Sequence, residues 1–116
     1  MASTVLVTGA SGFVGSHLAS ALVEAGHTVR AMTRRPEDYR GAGQPVAGDV
    51  SDPASLTQAL SGVDAAYYLV HSLARQDFVE KDAEAAQSFA SAATDAGLER
   101  LIYLGGLGQQ VLHVSP

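Results

Sequence analysis

Apolar residues along the chain fall into two alternating patterns, short unbroken runs and longer stretches at helical spacing. Residues 4–8 (TVLVT) form a β-branched run that stops at glycine, which predicts a strand buried on both faces. Gly9 to Gly12 make a tight loop. From Phe13 onward Val14, Leu18, Ala21, Leu22 and Ala25 recur at helical spacing, and Gly26 stands where a C-terminal cap belongs. Residues 28–33 (TVRAMT) predict the second strand. A polar loop with Pro36, Gly41 and Gly43 then leads to a short third strand around 45–47. Asp52-Pro53 signals a helix start, with an acidic N-cap and proline at the first helical position; that helix runs to about Leu60 and stops at Gly62. Residues 65–70 (AAYYLV) are wholly apolar and predict a central fourth strand, with Tyr67 and Tyr68 in the core. The longest helix spans 77–96, with Phe78, Asp82, Ala85, Ala86, Phe89, Ala93 and Ala96 on one face, and Gly97 ends it. Residues 100–104 (RLIYL) are the fifth strand.

Apolar strands separated by helices or long crossovers predict an α/β fold with a parallel sheet covered on both faces. Right-handed crossovers make it a doubly wound sheet of order 3-2-1-4-5, which reverses between strands 1 and 4. Ligands of such sheets sit in the crevice beyond the carboxyl ends of the strands at that reversal. Residues 9–15, 33–35, 49 and 71–72 all follow strand ends on this rim.

Composition narrows the picture. The 116 residues suit one domain, and 47% hydrophobic with 16% charged residues is a globular balance. A net charge of −5 speaks against a general nucleic-acid or anionic-membrane surface. The basic residues are nevertheless clustered: Arg30, Arg34, Arg35 and Arg40 are four of the seven in the chain. Arg30 is expected to project from a strand face in a structural role. No cysteine is present, so thiolate metal sites and disulfides are excluded; no metal site is expected, and a reducing cytoplasm is the expected location. No uncharged apolar run approaches the roughly 20 residues that span a bilayer.

The chemistry concentrates in Thr8-Gly-Ala-Ser-Gly-Phe-Val-Gly15, a G-x-x-G-x-x-G pattern on Gly9, Gly12 and Gly15. Gly9 serves the sharp exit from strand 1, Gly12 leaves room for a pyrophosphate against the backbone, and Gly15 lets the helix approach the strand. The N–H groups opening the helix, those of Phe13 and Val14 among them, then face the phosphates, and Ser11 adds a hydroxyl. The plainer alternative is that the glycines serve only the turn and the packing. With a strand before and an amphipathic helix after it, the pattern favours a dinucleotide.

This glycine motif, the following HLASALVEAGHTVRAMTRRP and AGDVSD, and the closing RLIYLGGLG together resemble the atypical or extended short-chain dehydrogenase/reductases, especially their NmrA-like, sugar-epimerase-like branch. The resemblance runs from Val5 to about Gly108 and implies an NAD(P)-binding Rossmann domain. NAD sites carry an acidic residue near the end of strand 2 and NADP sites an arginine; here Thr33-Arg34-Arg35 stands there, and no carboxylate occurs until Glu37. Guanidinium groups suit a 2′-phosphate, so NADP(H) is favoured and NAD(H) remains open; a solvated basic turn paired with Glu37 and Asp38 is the alternative. Asp49 and Val50 match the place where the family holds adenine, although Asp49 capping a turn is also open. Val70, His71 and Ser72 would line the ribose and approach the nicotinamide, with His71 read as a loop histidine before a proton carrier.

Reductases of this superfamily use a tyrosine with a lysine four residues later. Tyr39, Tyr67, Tyr68 and Tyr103 are followed at that spacing by Gly43, His71, Ser72 and Leu107, and the serine position after strand 5 reads Gly105-Gly106. No catalytic residue is therefore assigned. The expected function is the cofactor-binding domain of a short-chain-type oxidoreductase completed by further sequence; a non-catalytic NmrA-like redox sensor is the second class, and a remnant that binds no nucleotide the third. The strand-like tail 105–116 is expected to fold back antiparallel on strand 5, exchange with a second copy, or fray. A homodimer through the strand 5 edge, the tail or the helix 77–96 is the expected protein partnership.

Overall fold

The central strand is β1 (Thr4–Val7), whose Val5, Leu6 and Val7 are all buried. Around it the computed structural model describes residues 3–10, 12–50, 52–69, 87–105 and 108–113. The chain continues as α1 (Phe13–Glu24), β2 (Thr28–Thr33), a single 3₁₀ turn (Pro36–Asp38) and β3 (Gln44–Ala47). Then come α2 (Pro53–Ala59), β4 (Ala65–Leu69), helical residues 87–95 (α3), β5 (Arg100–Gly105) and β6 (Gly108–His113).

The strands form one sheet of order β3-β2-β1-β4-β5-β6. The first five run parallel in the doubly wound order 3-2-1-4-5, with Val5 registered on both Val29 and Ala65. Pro45 is accommodated because β3 is an outer strand, where a missing N–H breaks no ladder on the solvent side. At the other margin β6 runs antiparallel to β5, from Gly105 opposite Gly108 to Arg100 opposite His113. The chain thus supplies the neighbour of β5 itself, and β6 becomes the outermost strand.

Successive strand residues point to opposite faces and feed two cores. Leu6, Ala66, Tyr68 and Leu101 join Leu56 of α2, Leu60 at its C-cap, and Phe89 and Ala93 of α3 on one side. Tyr68 and Phe89 meet edge-on, with ring centroids 5.0 Å apart, the geometry their quadrupoles favour. Val7, Val29 and Ala31 meet Ala10 and Ala19 on the other side, with Leu18, Leu22 and Tyr39 packed against them. Tyr67, expected in the core beside Tyr68, is only half-buried. Both α1 and α3 end in paired main-chain bonds: Gly26 and His27 donate to Val23 and Leu22, and Gly97 and Leu98 donate to Thr94 and Ala93.

Two local expectations need correction. The inward stripe of α1 is Gly15, Leu18, Ala19 and Leu22, whereas Val14, Ala21 and Ala25 face solvent. The cause is Gly15, which seats the helix against the glycine loop and rotates Val14 outward. The second concerns Asp52. It occupies the N-cap position of α2, yet its side chain makes no capping hydrogen bond. Of the long helix expected over 77–96, the described residues show 87–95 as helix, and 77–86 lie outside them.

Candidate functional site

Three of the predicted rim segments converge beyond the ends of β1, β2 and β3. Ala10 N–H donates to the Met32 carbonyl at 3.4 Å, joining the glycine loop to the end of β2. Gly48 N–H donates to the Thr33 carbonyl at 3.1 Å, joining the loop that carries Asp49 to that same strand end. Thr8, buried at the end of β1, donates its N–H at 3.0 Å and its hydroxyl at 3.3 Å to the Tyr67 carbonyl, tying β1 to β4. Ser11, Val70, His71 and Ser72 lie outside the described residues.

The glycines of the loop have separate jobs. Gly9 has φ +61°, a left-handed conformation that favours glycine, and turns the chain out of β1. A Cβ at Gly15 would stand 2.1 Å from the Gly9 carbonyl oxygen, so the close seating of α1 requires glycine there. Gly12 differs from both. Its φ of −81° suits any residue, and a Cβ would meet only the Gly9 oxygen, at 3.4 Å. The fold itself does not demand glycine at position 12; a ligand lying against the backbone would.

The mouth of α1 fits an anion. Gly12 is its N-cap without a side-chain cap, and no acidic residue stands in the first turn. The first N–H groups of a helix have no partner within it, and they carry the positive end of its dipole. Phe13 and Val14 flank this mouth with side chains 80% and 57% exposed, unusual values for apolar residues beside a polar cradle. Ser16, one turn in, donates its N–H to the Gly12 carbonyl at 2.9 Å and starts the regular ladder.

The four clustered arginines separate into two kinds. Arg30 reaches from β2 to the carbonyls of Ala59 and Ser61 at the negative end of α2, a structural use. Arg40 donates to the carbonyls of Glu37 and Tyr39, at 3.1 Å each. Arg34 and Arg35 are exposed on the rim, and neither guanidinium makes a hydrogen bond or ion pair with a described residue. Pairing with Glu37 and Asp38 does not occur.

Asp49 and Val50 follow β3. The backbone of Asp49 makes a turn, since Asp52 N–H donates to its carbonyl at 2.9 Å, while the Val50 side chain packs on the larger core. Holding this turn is Ser55, a residue that sequence reading passed over. Its hydroxyl accepts the Asp49 N–H at 3.0 Å and lies 3.2 Å from the Asp49 carbonyl and 2.8 Å from that of Asp52. The signal was present in Asp-Pro-Ala-Ser, a short polar residue at the third helical position reaching back over its own cap. Thr8 was likewise read only as the last residue of a strand.

Among the described residues no group of histidine and carboxylate side chains is placed to hold a metal, and no helix is long and apolar enough to cross a membrane. Among the described residues, burial pushes the Tyr39 phenol above its ordinary value.

A family model described as NAD(P)H-binding matches residues 9–113. Among curated proteins, the chain is 43% identical over 103 residues to (4-alkanoyl-5-oxo-2,5-dihydrofuran-3-yl)methyl phosphate reductase of Streptomyces griseus, covering 86% of this chain and 33% of that protein. It is 31% identical over 124 residues to cinnamoyl-CoA reductase 1 of Oryza sativa subsp. japonica, covering 97% and 36%. The chain thus spans about a third of the length of these relatives. Among solved structures, the triphenylmethane reductase of Citrobacter sp. in complex with NADP(H) superposes with a TM-score of 0.71 at 24% identity, covering 86% of this chain and 36% of that one. At that identity the likeness is one of fold. With the family model covering all but the first strand and the last residues, and with the sheet order and glycine loop in agreement, the chain belongs to the NAD(P)H-binding family, as a Rossmann domain of the short-chain dehydrogenase/reductase type.

Proposed function

We propose that this chain binds NADP(H) in preference to NAD(H) and forms the cofactor half of a short-chain-type reductase. The observation that carries the reading is the pair Arg34 and Arg35 at the end of β2, exposed and without a partner among the described residues. Two planar cations at this point of a dinucleotide site match a 2′-phosphate, and the nearest carboxylates in sequence are turned to no ion pair with them. In this reading the uncapped mouth of α1 and the open space over Gly12 take the pyrophosphate, with Ser11 adding a hydroxyl. Asp49 and the backbone of Val50 take the adenine. Val70, His71 and Ser72, which follow β4 in sequence, are assigned to the ribose and nicotinamide.

When bound, the nicotinamide supplies the hydride of a carbonyl or alkene reduction. The part played by these residues is to hold the dinucleotide extended across the strand ends, phosphates on the α1 mouth and adenosine over β2 and β3. None of the four tyrosines has a lysine four positions on, so the proton donor of such a reduction is assigned to no residue in this stretch. That same feature favours a second reading, a nucleotide-reading regulatory module of the NmrA-like kind.

Isothermal titration with NADPH, NADP⁺, NADH and NAD⁺ tests the proposal. Tighter binding of the two phosphate-bearing forms, abolished in the Arg34→Ala/Arg35→Ala double variant, is the expected result. Equal affinity for NADPH and NADH in the unmodified chain would overturn the 2′-phosphate assignment. Turnover of NADPH across a panel of carbonyl substrates by the 116-residue chain is expected to stay at background, and robust turnover would refute the absence of a proton donor from this stretch.

A further inference from the structure

We infer that Thr33 is a positioning residue for cofactor choice: its hydroxyl holds the backbone turn from which Arg34 and Arg35 project. This deepens the proposed function and rests on the 2′-phosphate reading of the two arginines. Thr33 Oγ1 accepts the Arg35 N–H at 3.2 Å, a side-chain-to-backbone bond across two residues that closes a small turn. On its other side Arg35 precedes Pro36, whose ring restricts the conformations open to the residue before it. Arg35, with φ −130° and ψ 75°, is therefore held at its N–H by Thr33 and at its carbonyl side by proline.

The strand end beneath this turn is fixed as well. The Thr33 carbonyl accepts the Gly48 N–H, and the preceding Met32 carbonyl accepts the Ala10 N–H. The main chain of Thr33 thus registers the end of β2 against the glycine loop and the Asp49 loop, while its side chain carries that registration forward to Arg35. Fixing the main chain from which the two guanidinium side chains project leaves less backbone freedom to be lost when they meet a phosphate. A valine at position 33 would suit the strand equally well and hold the same carbonyl bonds, but it offers no acceptor to Arg35. The hydroxyl is the one atom at this position that the strand does not need.

The test compares the dissociation constants of NADP⁺ and NAD⁺, which differ only in the 2′-phosphate, for the unmodified chain, Thr33→Val and Thr33→Ser. Thr33→Val is expected to weaken NADP⁺ by roughly three- to tenfold, the worth of one hydrogen bond, with NAD⁺ unchanged. Thr33→Ser, which keeps the hydroxyl, is expected to retain the preference. Thr33→Ala provides a second hydroxyl-free variant should Thr33→Val fold poorly by circular dichroism. An unmodified chain with no preference for NADP⁺ would sink the arginine reading on which this depends. A clear preference that persists undiminished in Thr33→Val and Thr33→Ala would leave the arginines standing and overturn the role of Thr33, as would equal weakening of both nucleotides.

Discussion

The Cβ that any residue but glycine would carry at position 15 would lie 2.1 Å from the carbonyl oxygen of Gly9, well inside contact distance. Backbone meets backbone there, and no side chain is available to swing aside. Gly15→Ala is therefore expected to destabilise the chain by at least about 2 kcal/mol, in the upper range for overpacked sites, with a lower melting temperature that nucleotide does not fully restore. Gly12→Ala gives the opposite combination. Stability should change by less than about 1 kcal/mol, the scale of an N-cap replacement, while affinity for every dinucleotide falls. Calorimetric melts and titrations on both variants check the pair; unchanged nucleotide affinity in Gly12→Ala and in the bulkier Gly12→Val would remove the pyrophosphate cradle.

Ser55 gives a prediction of different shape. Its hydroxyl bridges the Asp49 turn to the start of α2. Ser55→Ala should cost about 1–2 kcal/mol in urea denaturation, since the Asp49 N–H loses its acceptor. Because adenine is common to both cofactors, NADP⁺ and NAD⁺ should weaken together, leaving their ratio as it was.

Tyr39 links stability to alkaline pH. Its hydroxyl donates to the Ala42 carbonyl, and burial raises its pKa above the ordinary 10.0. A raised folded-state pKa means that the stabilising neutral form is fully present below about pH 10, the unfolded value, and is lost as pH climbs through the folded one. Melting temperature should therefore fall along that limb. Tyr39→Phe should flatten it and cost about 1 kcal/mol at neutral pH through the lost hydrogen bond. An alkaline limb of the same steepness in both proteins would assign it to other groups.

Phe89 is fully buried against Tyr68 in the larger core. Truncation to alanine removes a whole ring from a packed interior and should destabilise by about 3–5 kcal/mol, enough to leave the isolated chain largely unfolded at 37 °C. Chemical denaturation at 25 °C is the appropriate readout.

Much of the fold was legible because β1, β4 and β5 carry unbroken apolar runs and β2 one interrupted only by Arg30, and such runs separated by helical stretches leave few parallel orders. The glycine loop was legible for a similar reason, since its spacing is set by geometry local to a dozen residues. What could not be read depends on atoms distant in sequence. The rotation of α1 follows from Gly15 meeting Gly9, and helical spacing alone equally allowed Val14 to face inward. Position within and just after strand 2 separated Arg30 from Arg34 and Arg35, but the carbonyls that hold Arg30 (Ala59 and Ser61) and Arg40 (Glu37 and Tyr39) are tertiary or turn partners that spacing does not reveal. Ser55 escaped notice because its partners belong to a turn whose closure is itself a tertiary outcome.

The apolar interior is divided unequally by the sheet. Among the described residues, twelve buried side chains make up the cluster toward α2 and α3, and five make up the one toward α1. Local opening begins where few apolar contacts must be broken, so amide hydrogens of α1 should exchange with solvent ahead of those of α3. The glycine loop that opens α1 is also where the cofactor is read to sit. A nucleotide would then brace the thinner flank, and saturating NADPH should slow exchange in α1 far more than in α3, making ligand occupancy and the integrity of that flank a single equilibrium.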